Sequence, residues 1–261
     1  MSAVVQAIAA VAMRDVRKLF RQRGRLLASM IRPLLWLVVI GGGFAASEPA
    51  ARGAGYQSFL VPGVLGMTVL FGAALAALAT VYDKESGVMR MLIIAPLEPA
   101  WIVTAKAAGA AVVALIQAVL LLIVLAPFGY FSAAVSWPWL IVGLAATALA
   151  CACLGMLVAA WTTNLDNYAG MMNFFIFPVF FLSGSLYPVE RLPAALKFAA
   201  AANPYTHGVD LLRHATHTGP AFSRTTDLAV IIVFSAAAIA VAGARFSAAG
   251  VFESRGRRLA Q

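Results

Sequence analysis

Charge is scarce in this chain, and what is missing narrows its chemistry early. Asp, Glu, Lys and Arg together make up 11% of the 261 residues, and only ten residues are acidic. A water-soluble protein of that length needs far more polar surface to cover itself, so lipid must be the solvent for most of the chain. There are two cysteines, Cys151 and Cys153, and both lie inside an apolar run. Two residues apart on a helix they point in separate directions, which argues against a mutual disulfide and for small packing side chains. Four lysines are present (Lys18, Lys84, Lys106 and Lys197), and none follows a glycine. That excludes a glycine-rich phosphate loop ending in Gly-Lys-Ser/Thr. No Gly-x-Ser-x-Gly elbow surrounds Ser183, so this serine reads as the end of a span and not as a nucleophile. No removable signal peptide is expected, because the first 25 residues are basic and lack an apolar stretch with a small-residue cleavage site.

What the chain does have is hydrophobicity. Residues of the AVILMFWYC set reach 62%, against about 45–50% in soluble domains. They fall into six runs, each set against the ~20 residues needed to cross hydrocarbon. The runs are Leu26–Ala46, Phe59–Tyr82, Ile102–Pro127, Trp137–Trp161, Tyr168–Leu186 and Leu228–Phe246. The expected fold is an all-α polytopic membrane protein with six transmembrane helices. The fourth run carries a Trp at each end, as residues of an interfacial belt do. Its Gly143, Ala146, Ala150 and Cys153 recur at three- and four-residue spacings, a pattern suited to close helix packing.

Ahead of the runs, residues 10–25 hold seven charges in sixteen positions and fail as a span. Ala12, Met13, Val16, Leu19 and Phe20 share one helical face, with Arg14, Arg17, Lys18 and Arg21 elsewhere. Segment 1–25 is therefore expected to contain an amphipathic helix lying in the headgroup plane. With the N-terminus inside, fourteen Lys and Arg residues fall on cytoplasmic segments and five on external ones. The positive-inside rule then puts both termini in the cytoplasm. The net charge of +9 belongs to this topology and to membrane lipid, not to nucleic acid. The expected division is 1–25 as the leader, 26–246 as the membrane domain and 247–261 as a cytoplasmic tail. Within the membrane domain, 83–101 is a cytoplasmic connection. Segment 187–227 is an external re-entrant one, with short helices at Leu192–Ala202 and Tyr205–Thr218 that dip into the outer surface or lie on it.

All ten acidic residues lie in the connections or at span ends, which argues against a proton-coupled carrier. His207, Asp210, His214 and His217 stand at offsets of 0, 3, 7 and 10 and share one helical face. Such residues can hold a divalent metal or line a wet helix face. The sequence assigns no metal site, no catalytic residue and no cofactor to this chain.

Two stretches carry a resemblance. Residues 82–106 read YDKESGVMRMLIIAPLEPAWIVTAK, and residues 177–213 read FPVFFLSGSLYPVERLPAALKFAAAANPYTHGVDLLR. In the first, Glu85, Gly87, Leu92, Pro96 and Lys106 are similar to the pattern after the second span of type-two ATP-binding-cassette (ABC) export permeases. In the second, Ser183, Gly184, Pro188, Leu192, Pro193, Asn203, Pro204, Asp210 and Arg213 follow that family's order. The basic leader fits as well, so the resemblance covers nearly the whole chain.

The resemblance implies a half-transporter paired with a second copy of itself or a close relative, in the inner membrane. Two separate ATPase subunits on the cytoplasmic side would hold the ATP and magnesium. It implies that Glu85, Gly87, Met89, Arg90, Leu92 and Pro96 form the coupling helix that seats on an ATPase. Arg14, Arg17, Phe20 and Arg21 would belong to a connecting helix beside it. Asn173, Phe174, Phe177 and Phe181 of the fifth run are candidates for the translocation path, although such a Phe cluster equally serves packing or lipid contact. The implied substrates are amphipathic: drugs, lipid-linked glycans or polysaccharides. Two other readings stand beside this one. A stand-alone secondary transporter requires a buried carboxylate or an inverted repeat, and an intramembrane enzyme requires paired catalytic groups at one depth.

Overall fold

The structure, a computed structural model, describes residues 13, 14, 17, 21, 24, 31–39, 54–89, 99–129 and 135–259, with side chains for all of these except 54–57, 99 and 248–259. Among the described residues the regular structure is all helical, with no strand. Long apolar runs have no alternative in lipid, where each backbone N–H and C=O must find its partner inside the segment. Seven α-helices are labelled here α1 Ala54–Glu85, α2 Pro99–Leu125, α3 Trp137–Trp161, α4 Leu165–Leu182, α5 Ala194–Ala202, α6 Pro204–Thr216 and α7 Arg224–Leu259. Residues 31–39 are also helical.

Five stretches are long and apolar enough to cross a membrane: Ser58–Glu85, Ala100–Phe128, Trp137–Trp161, Leu165–Leu182 and Arg224–Ser247. They correspond to expected runs two to six, with ends moved by at most four residues. Most of the first expected run lies outside the described residues. The fifth begins at Leu165 and stops at Leu182, short of the expected Leu186. Asn164 opens that helix by accepting the Asn167 N–H at 2.8 Å, and Gly184, at φ +72°, turns the chain out of it.

Helix α3 is the hub, packed against α1, α2, α6 and α7. Its small residues make this possible. Gly143 lies against Leu211 and Leu212 of α6, while Ala150 packs with Leu211 and Ile231. A close crossing involves Gly208 of α6: a Cβ there would stand 2.6 Å from the Thr147 hydroxyl, so only glycine fits.

The two short helices expected between α4 and α7 take different positions. Helix α5 does lie at the surface, with Phe198 78% exposed. Helix α6 instead sinks into the bundle, with Tyr205 to Arg213 buried without a break. A helix that polar can be buried only if its partners come from the protein, and they do.

Candidate functional site

Two clusters of charged residues lie at the two ends of the bundle. At the first, Asp83 closes α1 and is buried. Its Oδ2 accepts from Lys106 on α2 and from Arg14 of the leader at 2.8 Å. The Lys106 side chain is buried while that of Arg14 is half-exposed. A lysine placed a turn and a half into an apolar run needs an opposite charge, and the carboxylate that ends the preceding run supplies it. The next residue, Lys84, donates to the carbonyls of Ala159 at 2.6 Å, Thr162 at 3.2 Å and Ala160 at 3.3 Å. Its ammonium thereby covers the unpaired C-terminal carbonyls of α3. It also sits 4.4 Å from the Phe246 ring centroid on α7. Asp83 and Lys84 thus tie the leader, α1, α2, α3 and α7 together at one level.

The expected coupling residues begin one step beyond. Glu85 is exposed. Gly87 takes φ +78°, a left-handed turn that breaks α1. Met89 is buried in the chain's own core. Arg90, Leu92 and Pro96 lie outside the described residues, as does Phe20 of the leader. Arg14, Arg17 and Arg21 are helical and exposed.

At the opposite end, the residues of the second quoted stretch converge. Asn203 caps α6 by accepting the Tyr205 N–H at 3.1 Å, and its amide donates to the Val179 carbonyl at 2.8 Å near the end of α4. Pro204 fills the first turn, where no N–H is needed. Ser183 bonds to Ser185 and to the Phe180 carbonyl, each at 2.6 Å, which leaves it as part of a turn. Arg213, 2% exposed, donates to the Gly184 carbonyl and lies over the Phe59 ring at 3.9 Å. Burial pulls its pKa down to about 10, against the pull of Asp210 and Glu190.

Three of the four residues on the histidine-bearing face meet there. His207 donates through Nδ1 to Asp227 at 2.8 Å and reaches the Ala201 carbonyl through Nε2 at 2.9 Å. Both partners are acceptors, so both bonds form only when the ring carries two protons. Burial opposes that charge, but the bonds to Asp227 and Ala201 outweigh it and hold the pKa above its ordinary value. Asp210 accepts from the backbone N–H groups of Ala221 at 2.7 Å and Phe222 at 2.9 Å. Burial raises its pKa, and those two bonds offset the rise only in part. His214 Nε2 contacts the Phe222 carbonyl at 2.9 Å. His217 does not join them: it is the exposed left-handed residue that ends α6. Asp227 takes its place from the first turn of α7. Sequence reasoning set Asp227 aside as a span-end residue, and its only signal was a carboxylate facing a histidine-bearing segment across a short turn.

The fifth-run candidates face away from the bundle. Asn173, Phe174, Phe177 and Phe181 are all exposed, Phe174 by 74%. Phe177 and Phe181 stack at 6.3 Å. Trp36 of the 31–39 helix packs on Phe180 at 5.7 Å. Leu35, Val38 and Val39 extend the outward apolar face beside them.

Five membrane-length helices, with no strand among the described residues, define a polytopic α-helical membrane protein. A family model described as ABC-2 type transporter matches residues 6–216, and the chain belongs to that family. It is a transport component of the membrane, not a catalytic subunit. It is similar to Nodulation protein J of Rhizobium leguminosarum bv. trifolii, 29% identical over 193 residues that cover 72% of each chain. It is also similar to a protein named "Putative transport permease ycf38" of Pyropia yezoensis, 29% identical over 217 residues, 81% of this chain and 74% of that one. The Sinorhizobium fredii Nodulation protein J is 25% identical over 220 residues, 80% of each.

Proposed function

We propose that this chain is the permease subunit of an ATP-driven exporter. It works as two copies joined to two separate ATPase subunits, which hold the ATP and magnesium while this chain holds neither. In this reading both termini lie in the cytoplasm, the protein sits in the cytoplasmic (inner) membrane, and 26–246 is the transport domain. The 83–101 connection seats on the ATPase through Glu85, Gly87, Arg90, Leu92 and Pro96, flanked by the leader with Arg14, Arg17, Phe20 and Arg21.

The observation that carries this reading is the shared carboxylate of Asp83. One oxygen holds both Arg14 of the leader and Lys106 of α2, immediately before the expected coupling segment. A push on that segment would therefore move the leader and two spans together, as switching between packed helix arrangements requires. A second copy fits the outward face of α4 and residues 31–39. Only 22% of the α4 span is buried within one chain. Pairing across it would place Asn173, Phe174, Phe177 and Phe181 along an apolar path suited to amphipathic drugs, lipid-linked glycans or polysaccharides.

The test is to purify the tagged chain together with its genomic neighbours and assay ATP hydrolysis in lipid. A stoichiometric ATPase that is lost on deleting residues 87–92 is the expected result. A chain that purifies alone and moves a solute without ATP would replace this reading with the secondary transporter.

A further inference from the structure

Asp227 is a fully buried carboxylate, 0% exposed, with only one of its oxygens accounted for. Oδ1 accepts from His207. Oδ2 has no hydrogen-bond partner among the described residues. His207 serves only the other oxygen, and a buried carboxylate oxygen left bare is costly, so Oδ2 calls for a donor or cation of its own. Its nearest candidate is His214 Nε2 at 3.6 Å, beyond hydrogen-bond reach, and the same nitrogen lies 3.9 Å from Asp210 Oδ2. One donor atom from each of Asp210, His214 and Asp227 falls within 4.8 Å of the others.

We propose that Asp210, His214 and Asp227 form a binding site for a divalent transition-metal ion that clamps α6 to the start of α7. The donor set is two carboxylates and one imidazole, the mixture suited to zinc or manganese. Zinc held at about 2.1 Å by such donors spaces them roughly 3.4 Å apart. The tripod therefore closes on the ion with side-chain movements of less than about an ångström. The Phe222 carbonyl, 2.9 Å from His214 Nε2, stands ready as a fourth donor.

The supporting residues behave as the surroundings of a metal site should. His207 fixes the far oxygen of Asp227 and is itself held by the Ala201 carbonyl. The Phe222 ring packs on His207 at 4.8 Å. The amides of Ala221 and Phe222 orient Asp210 while leaving lone pairs on both its oxygens. An ion can enter because the His214 side chain keeps 14% of its surface exposed. To bind, His214 must present Nε2 without a proton, so the neutral ring carries its hydrogen on Nδ1.

The site is read on the purified full-length chain, with the tag removed and without any ATPase partner, so its outcome is separate from that of the transport reading. After chelator treatment, the chain in micelles is titrated with zinc chloride by calorimetry, and its melting temperature is followed in parallel. One zinc per chain with micromolar or tighter affinity is expected, together with a rise in melting temperature. His214→Gln should weaken binding at least tenfold, and His217→Ala should leave it unchanged. Asp227→Asn also removes the partner of His207, so His214→Gln, whose amide still reaches Phe222, is the deciding variant. No one-to-one binding by the wild type, or equal affinity and equal thermal gain in His214→Gln, overturns the proposal.

Discussion

Asp83 and Lys106, 23 positions apart in the chain, meet as a buried ion pair where α1 ends and α2 begins. The Lys106 side chain is 1% exposed. Breaking such a pair from one side strands a charge away from water, which costs far more than the pair contributes when intact. Asp83→Asn is expected to destabilise the bundle by about 3–5 kcal/mol. Adding Lys106→Met should recover most of that loss, since the stranded ammonium goes too. Thermal unfolding in micelles of the two single variants and the double variant checks this, and additive losses would count against it.

Arg14 shares the same oxygen but is half-exposed, so solvent screens it. Arg14→Ala should cost under about 1 kcal/mol of stability. If the leader is the connecting helix, the same variant should lower substrate-stimulated ATP hydrolysis in the assembled transporter while insertion stays normal. Unchanged stimulation in lipid would remove Arg14 from the coupling route.

The crossing of α3 and α6 leaves no space for a methyl group. A Cβ on residue 208 would lie 2.6 Å from Thr147 Oγ1 and 2.9 Å from its Cγ2. Gly208→Ala is expected to destabilise by about 1–3 kcal/mol through overpacking. Thr147→Ala in the same chain should relieve part of that. Melting temperatures of the pair decide it, and a Gly208→Ala protein as stable as the wild type contradicts the packing described.

Tyr205 is fully buried. Burial raises its phenol well above the ordinary 10, with only partial relief from the Ser185 hydroxyl. The unfolded phenol ionises near pH 10 and the folded one does not, so the unfolded state gains as pH climbs past 10. The stability contribution is complete below pH 10 and is lost as pH rises toward the folded pKa. Wild type should lose about 1.4 kcal/mol more per pH unit above 10 than Tyr205→Phe does. Unfolding followed from pH 8 to about 11 in both proteins reads the difference, and parallel slopes would refute it.

Much of the frame was legible from the chain. Trp137 and Trp161 bound the α3 run because interfacial aromatics bound spans. Gly143 and Ala150 reported close packing because lipid supplies no hydrophobic drive between helices and small residues do the work instead. The helix expected at Tyr205–Thr218 overlaps α6, which runs from Pro204 to Thr216. The candidate site was legible only in part. The spacing of His207, Asp210 and His214 pointed to one face, but Asp227 reaches that face through the turn after α6. His217, one step further along the same periodicity, leaves it because the helix ends there at φ 56°.

By itself the sequence determined the solvent, the class and the apolar stretches long enough to cross a membrane from the second run onward. Each of these follows from local hydrophobicity and from the need to satisfy backbone groups within a segment. The pairing of charges was decided by tertiary structure alone. Lys106 finds Asp83, His207 finds Asp227, and Lys84 finds the end of α3, because a buried charge is compensated by whatever folding brings within about 3–4 Å of it, and sequence distance does not measure that.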